Sequence, residues 1–144
     1  MKKDVMIFIR GKQSVDDDND SIELLTKGSY YKDNKARYLS YEELDEEEAK
    51  VTKTLLTIED NRCVTMKRTG QQNSQLVIEK GIRHQCHYDN GIVEWMMGIQ
   101  GREIKNDLND NGGTLDFSFF LDINAMYEGE KEVNIVVKEC ENDA

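Results

Sequence analysis

The sequence predicts an all-β protein, a closed antiparallel up-and-down barrel of about eight to ten strands with a calycin or lipocalin-like shape. Three observations carry that prediction. Apolar and polar residues alternate with period two along much of the chain, most clearly where Leu115, Phe117, Phe119, Leu121 and Ile123 oppose Asp116, Ser118, Phe120, Asp122 and Asn124. Gly, Asn and Asp recur at the intervals expected of turns. Proline is absent from all 144 residues, so every turn falls to those three residue types. A meander of many twisted strands tends to close, because closure removes the edges on which other chains could pair.

Each element follows from local pattern. Val5, Ile7 and Ile9 form the inward face of a first strand that is expected to stop at Gly11, before an acidic loop over residues 16–20. Asp16, Asp18 and Asp20 have the odd spacing of hard-cation ligands, but the glycine and distal glutamate of a calcium loop are missing, which leaves a solvated loop. Ile22, Leu24, Thr26 and Gly28 share a face of the second strand, and Asp33-Asn34 turns it into residues 35–41. The run at 42–48 is expected to be a charged loop. Ser40 and Glu43 fit a helix capping box there, but Leu44 and Ala49 give no core-facing stripe.

Thr54, Leu56 and Ile58 mark the next strand, Asp60-Asn61 its turn, and Val64, Met66 and Arg68 the return. Leu76 and Ile78 lead to a bend at Gly81. Asp89-Asn90-Gly91 is the strongest hairpin signal, because Asn-Gly readily takes the positive φ angles of a type I′ turn. Residues 102–113 look polar and turn-like, with Ile104 and Leu108 spaced for one helical turn closed by Gly112 and Gly113. Glu128-Gly129-Glu130 is expected to turn into a last strand carrying Val133, Ile135 and Val137, with residues 139–144 frayed.

The length suits one domain over residues 1–144. Lys plus Arg number 19 and Asp plus Glu 29, giving a net charge of −10 that repels nucleic acid and anionic membrane surfaces. The apolar run near the amino terminus is broken at Arg10, too short for a secretory or membrane-spanning segment. Cys63, Cys86 and Cys140 form no CxxC pair, which points to free thiols and a cytoplasmic location. No cofactor motif is present.

With these features in place, the sequence resembles the YwiB-like family of small bacterial β-barrel proteins, which have no assigned activity. The resemblance rests on Gly28-x-Tyr30, Tyr38-Leu39-Ser40-Tyr41-x-Glu43, Thr54-x-Leu56, Arg68-x-Gly70, Tyr88-x-x-Gly91, and Asp107-Leu108 leading to Gly112-Gly113-x-Leu115-x-Phe117. It implies a closed calycin-like barrel and supplies no catalytic residues. The chain departs from the family pattern at His84-Gln85-Cys86-His87, where a Thr-rich segment would precede Tyr88.

Three chemistries compete. The alternation places Tyr41, Glu43, Arg68, Tyr88 and Trp95 inside the barrel, with Glu43 the expected partner of Arg68. This set suits a small amphipathic or anionic ligand, and packing of the same residues as core is the bland alternative. Ile92, Met96 and Phe120 face outward and could form an apolar patch for a homodimer or a protein partner, the choice for a structural barrel without ligand. His84, Cys86 and His87 have the composition of a metal or thiol site. On a strand, however, His84 and Cys86 share a face that His87 does not, so they cannot converge on one ion without a bulge. No catalytic motif is present, and the sequence does not read as that of an enzyme.

Overall fold

The computed structural model describes residues 2–15, 18–45, 47, 49–89 and 91–140, with backbone alone at 15, 18 and 19. Among them every regular element is a strand: β1 (Lys3–Val15), β2 (Asp18–Lys32), β3 (Arg37–Asp45), β4 (Lys50–Glu59), β5 (Cys63–Gly70), β6 (Asn73–Glu79), β7 (Arg83–Asp89), β8 (Glu94–Asn109), β9 (Gly112–Ile123) and β10 (Met126–Glu139). Each pairs antiparallel with its sequence neighbours, and β1 also pairs with β10, closing the barrel. No helix is long and apolar enough to cross a membrane among the described residues. Of the acidic loop expected at 16–20, residues 18–20 belong instead to β2, paired with β1; of the tail expected to fray at 139–144, Glu139 pairs with Val5 and Cys140 N donates to Asp4 O at 3.0 Å, while residues 16, 17 and 141–144 lie outside the described residues.

This connectivity puts the β1–β2, β3–β4, β5–β6, β7–β8 and β9–β10 turns at one end, the mouth. The other turns and both chain ends lie at the base. Alternation decides what is inside. Val5, Ile7, Leu39, Leu56, Ile58, Val64, Ile78, Ile99, Leu115, Ile135 and Val137 are fully buried, and most of them sit toward the base. The β8–β9 hairpin ties down that end. Tyr30 Oη donates to Asn109 O at 2.6 Å, Arg37 Nη1 reaches Asp110 Oδ1 at 3.2 Å, and Lys32 Nζ lies 2.8 Å from the same oxygen. These cations hold the Asp110 carboxyl below the usual carboxylate range.

Four local expectations give way to longer strands. β1 runs past Gly11 to Val15, because an antiparallel partner on each side outweighs one glycine. Residues 42–45 continue β3 rather than forming a charged loop: Glu42 opposes Lys53 and Asp45 opposes Lys50, so cross-strand cations relieve the acidic run. Residues 102–109 are strand, not turn. Ile104 and Leu108 are four apart, a spacing that satisfies period two as well as a helix, and both belong to the inward set. At Gly129 the chain is not turning but already within β10, which shifts register between Tyr127 and Gly129.

The two-residue turn also appears in a different place. Asn124 and Ala125, both with positive φ (51° and 67°), join Ile123 directly to Met126. In the β7–β8 hairpin the last pair is Asp89 with Glu94, two residues later on β8 than a two-residue turn would bring it, an even offset that leaves the faces unchanged. Asn90 itself lies outside the described residues; beside it, Gly91 has φ 89° and its N–H donates to Asp89 Oδ1 at 2.7 Å.

The weakest seam is β6–β7. Beyond Asn73–Asp89 and Ser74–Tyr88 its regular ladder ends, and Val77 N donates to Cys86 Sγ at 3.4 Å. At its base Gly81 N donates to Gly101 O at 2.9 Å, and a Cβ on Gly101 would land on the backbone of Glu79. Gly101→Ala is therefore expected to cost about 1–3 kcal/mol through overpacking. Gly11→Ala, where nothing lies within 4 Å of the new methyl group, should stay within about 0.5 kcal/mol. Urea denaturation of the two variants checks the contrast.

Candidate functional site

On the inner wall, six residues of adjacent strands lie directly opposite one another in a single row. Tyr41 faces Thr54, Thr54 faces Arg68, Arg68 faces Ser74, Ser74 faces Tyr88 and Tyr88 faces Trp95. The row crosses β3 to β8 on the mouth side of the core. Period-two alternation in each strand makes these side chains point inward, and hairpin register sets them level. Four of the five residues expected inside, Tyr41, Arg68, Tyr88 and Trp95, are on it.

Several of its polar atoms are short of partners. Arg68 Nε and Trp95 Nε1 are buried and make no hydrogen bond within the protein, and buried Thr54 Oγ1 has only a poorly directed contact with the Tyr41 hydroxyl. An orphaned buried donor or acceptor costs about 1–3 kcal/mol, more when charged, so this row calls for a partner in the form of ordered water or a ligand. Tyr41 lies against Thr54 and Arg68. Burial pushes its hydroxyl pKa up, against the pull of the Arg68 charge. Tyr88 and Trp95 stack with centroids 5.2 Å apart and 10° between ring planes, forming an apolar slab at one end of the row.

Arg68 differs from its expected arrangement. Glu43 lies one inward position nearer the mouth, opposite Thr52, and its side chain is exposed. Among the described residues no ion pair joins it to Arg68, whose guanidinium bonds Gln72 Oε1 through Nη1 at 3.5 Å and lies against the Tyr41 hydroxyl. A second cation comes from the far wall. Lys131, on β10 opposite Phe119 and Gln13, is half-buried and is paired with no carboxylate among the described residues. Burial holds its ammonium pKa below the usual lysine range, and the Arg68 charge pushes it further the same way. β10 and β5 lie on opposite sides of the ring, so the two cations converge across the interior with no anion between them.

Thr54, Ser74 and Lys131 were not among the residues expected here. Extending the alternation of Val133, Ile135 and Val137 back by one step finds Lys131, and only the expected turn at residues 128–130 hid it. Thr54 sat on the predicted inward face with Leu56 and Ile58, and its side chain gave no sign that its hydroxyl would lack a partner.

The other candidate groups are dispersed. His84 Nε2 pairs with Glu79 Oε1 at 2.9 Å, while His87 turns outward onto Glu94. Cys86 is buried in the β6–β7 seam as the acceptor for Val77 N, and burial raises its thiol pKa and keeps it protonated. No group of three or more His, Cys, Asp or Glu side chains gathers as a metal site among the described residues. On the outer surface Ile92 is 91% exposed and Met96 is exposed opposite His87. Phe120 lies farther along, opposite Gln100 and Glu130. The Arg83–Asp122 ion pair, 2.7 Å long, lies over Gly98 between Met96 and Phe120, so the three do not form one continuous apolar patch.

The fold has a close structural counterpart. The crystal structure of ywiB protein from Bacillus subtilis superposes with a TM-score of 0.81 over 97% of this chain and 94% of that one, at 18% sequence identity. At that identity the likeness concerns the barrel alone. No curated protein sequence matches the chain. A family model matches residues 7–135, and the chain belongs to that family, described as a domain of unknown function, DUF1934.

Proposed function

We propose that the barrel binds a small amphipathic anion in the mouth-side half of its interior. The anionic group would lie between Arg68 and Lys131, and the apolar part against the Tyr88–Trp95 stack. What carries this reading is the row of orphaned polar atoms beside two inward cations with no counter-charge. An anion with several acceptor oxygens would answer Arg68 Nε, Trp95 Nε1 and Thr54 Oγ1 together, and charge-assisted bonds of this kind are the strong ones. A packed structural barrel has no use for two unpaired interior cations, because burying a charge without a partner is destabilising. A hydrolase acting through Cys86 is disfavoured, since its thiol is buried and protonated.

The single tryptophan, Trp95, makes the test direct. Decanoate and decyl phosphate are expected to change Trp95 emission and to raise Tm, whereas decyltrimethylammonium and decanol at the same concentration do neither. Arg68→Met should weaken the anion response by about tenfold or more, the loss of one charge-assisted contact. Equal responses to the anionic and neutral chains would sink the proposal.

Lys131 gives a second outcome, read without ligand. Its folded-state pKa lies below that of the unfolded chain, so between those values the unfolded state binds more protons and stability rises with pH. Below the folded value the full penalty of the charged form remains. Lys131→Met is therefore expected to be more stable than the parent at neutral pH, with an advantage that shrinks as pH climbs toward the ordinary lysine value, while anion binding weakens. Thermal melts across that pH range measure it, and a variant less stable at neutral pH would show that Lys131 serves structure instead.

A further inference from the structure

β2 and β3 are in register only from Gly28 opposite Tyr41 to Lys32 opposite Arg37. Toward the mouth the two strands part. Residues 18–27 of β2 pair with β1 on one side and, among the described residues, have no strand on the other. Across the gap, residues 42–44 of β3 pair only with β4. Ten consecutive residues thus present a free main-chain edge, in a fold whose closure otherwise removes edges. The edge carries no proline, and its register with β1 runs from Asp18 to Lys27 without a shift; what guards it against like strands is charge, three acids (Asp18, Asp20 and Glu23) to one base, Lys27.

The side chains around the gap indicate what would lie there. Ile22 is 75% exposed and Leu25 62%, although long apolar side chains on a barrel strand are normally covered. Across the gap, Leu44 and Val51, opposite each other on β3 and β4, are also exposed. Beside these apolar groups lie the exposed carboxylates Asp20 and Glu43, and Glu23 and Glu42, which pair with Arg10 and Lys53. Ile22 and Asp20 lie on the Leu24 face of β2 and Leu25 and Glu23 on the other, so a partner strand that suits this edge carries apolar residues together with Lys or Arg on both of its faces.

We infer that residues 18–27 are a docking edge for an extended, basic, amphipathic segment of a partner protein, which adds to β2 as a further antiparallel or parallel strand. Main-chain bonds to the free edge supply affinity, and apolar contact with Ile22 and Leu25 together with charge complementarity supplies selectivity. The net charge of −10 favours the same partner chemistry over a long range. A second copy of this chain fits the edge less well, because it would bring its own Asp20 and Glu23 against the same surface. The inference does not depend on the interior anion site.

The test uses a blocked, labelled peptide repeating lysine–lysine–valine–valine, which carries both residue types on each strand face, followed by fluorescence anisotropy and amide hydrogen exchange. Binding is expected to slow exchange of amides within residues 20–27 and to weaken as salt rises. A glutamate–valine counterpart, and a lysine–valine peptide N-methylated at alternate amides, should bind at least about tenfold more weakly. The double variant I22K/L25K, at two exposed positions, should lose binding by a similar factor and keep the parent Tm. Peptide binding that leaves exchange at 20–27 unchanged, or that the N-methylated peptide matches, would overturn the inference. So would sedimentation showing that the protein is a dimer whose 20–27 amides are already protected.

Discussion

Closure through β1 is the constraint on which the rest of the structure depends. β1 and β10 are the two strands that each pair with a sequence neighbour on one side and with each other, across the whole length of the chain, on the other. Val5 and Ile7 in β1 are wholly withdrawn from solvent. Without that pairing the sheet would have two long edges and its apolar face would have nothing to enclose. With it, the alternation in every strand acquires an inside, and the inward residues of ten short segments become one core.

The same closure sets the terms for the interior charges. On an open sheet Arg68 and Lys131 would point into water and be unremarkable. Inside the ring they share a poorly solvated space, where burial first and the Arg68 charge second hold the Lys131 ammonium pKa down. Toward the base the barrel resolves such conflicts. Asp110 gathers Lys32 and Arg37, and Asn106 bonds the Asp60–Asn61 turn through its backbone N–H and its side chain. Toward the mouth the conflicts stand. That contrast within one fold, satisfied polar groups at one end and buried polar groups short of partners at the other, is the feature on which the proposed anion site rests.

Where local pattern was read with its period in view, the residues behaved as expected; where it was read as punctuation, they did not. Gly11, Gly113 and Gly129 looked like stops and lie inside strands. Asp89, at the best local turn signal, pairs with Glu94 rather than with the residue a two-residue turn would bring opposite it, while Asn124-Ala125 makes the tight turn at the cost of an alanine with φ 67°. In both regions the pairing follows which inward side chains must meet, Tyr88 with Trp95 and Ile123 with the buried Met97. Turn propensity, worth less than a layer of core contacts, yields to that requirement.

The sequence by itself determined the fold class and the inward set, including Tyr41, Arg68, Tyr88 and Trp95, because side-chain direction along a strand is a local property with a period of two. Only the tertiary structure decided that those four lie in one row with Thr54 and Ser74, that Glu43 leaves Arg68 unpaired, and that Lys131 reaches in from the opposite wall. It also decided that β2 parts from β3 and keeps a free edge. The reason is physical: register between strands, and the field of one buried charge on another, depend on distances across the barrel that no local stretch of sequence encodes.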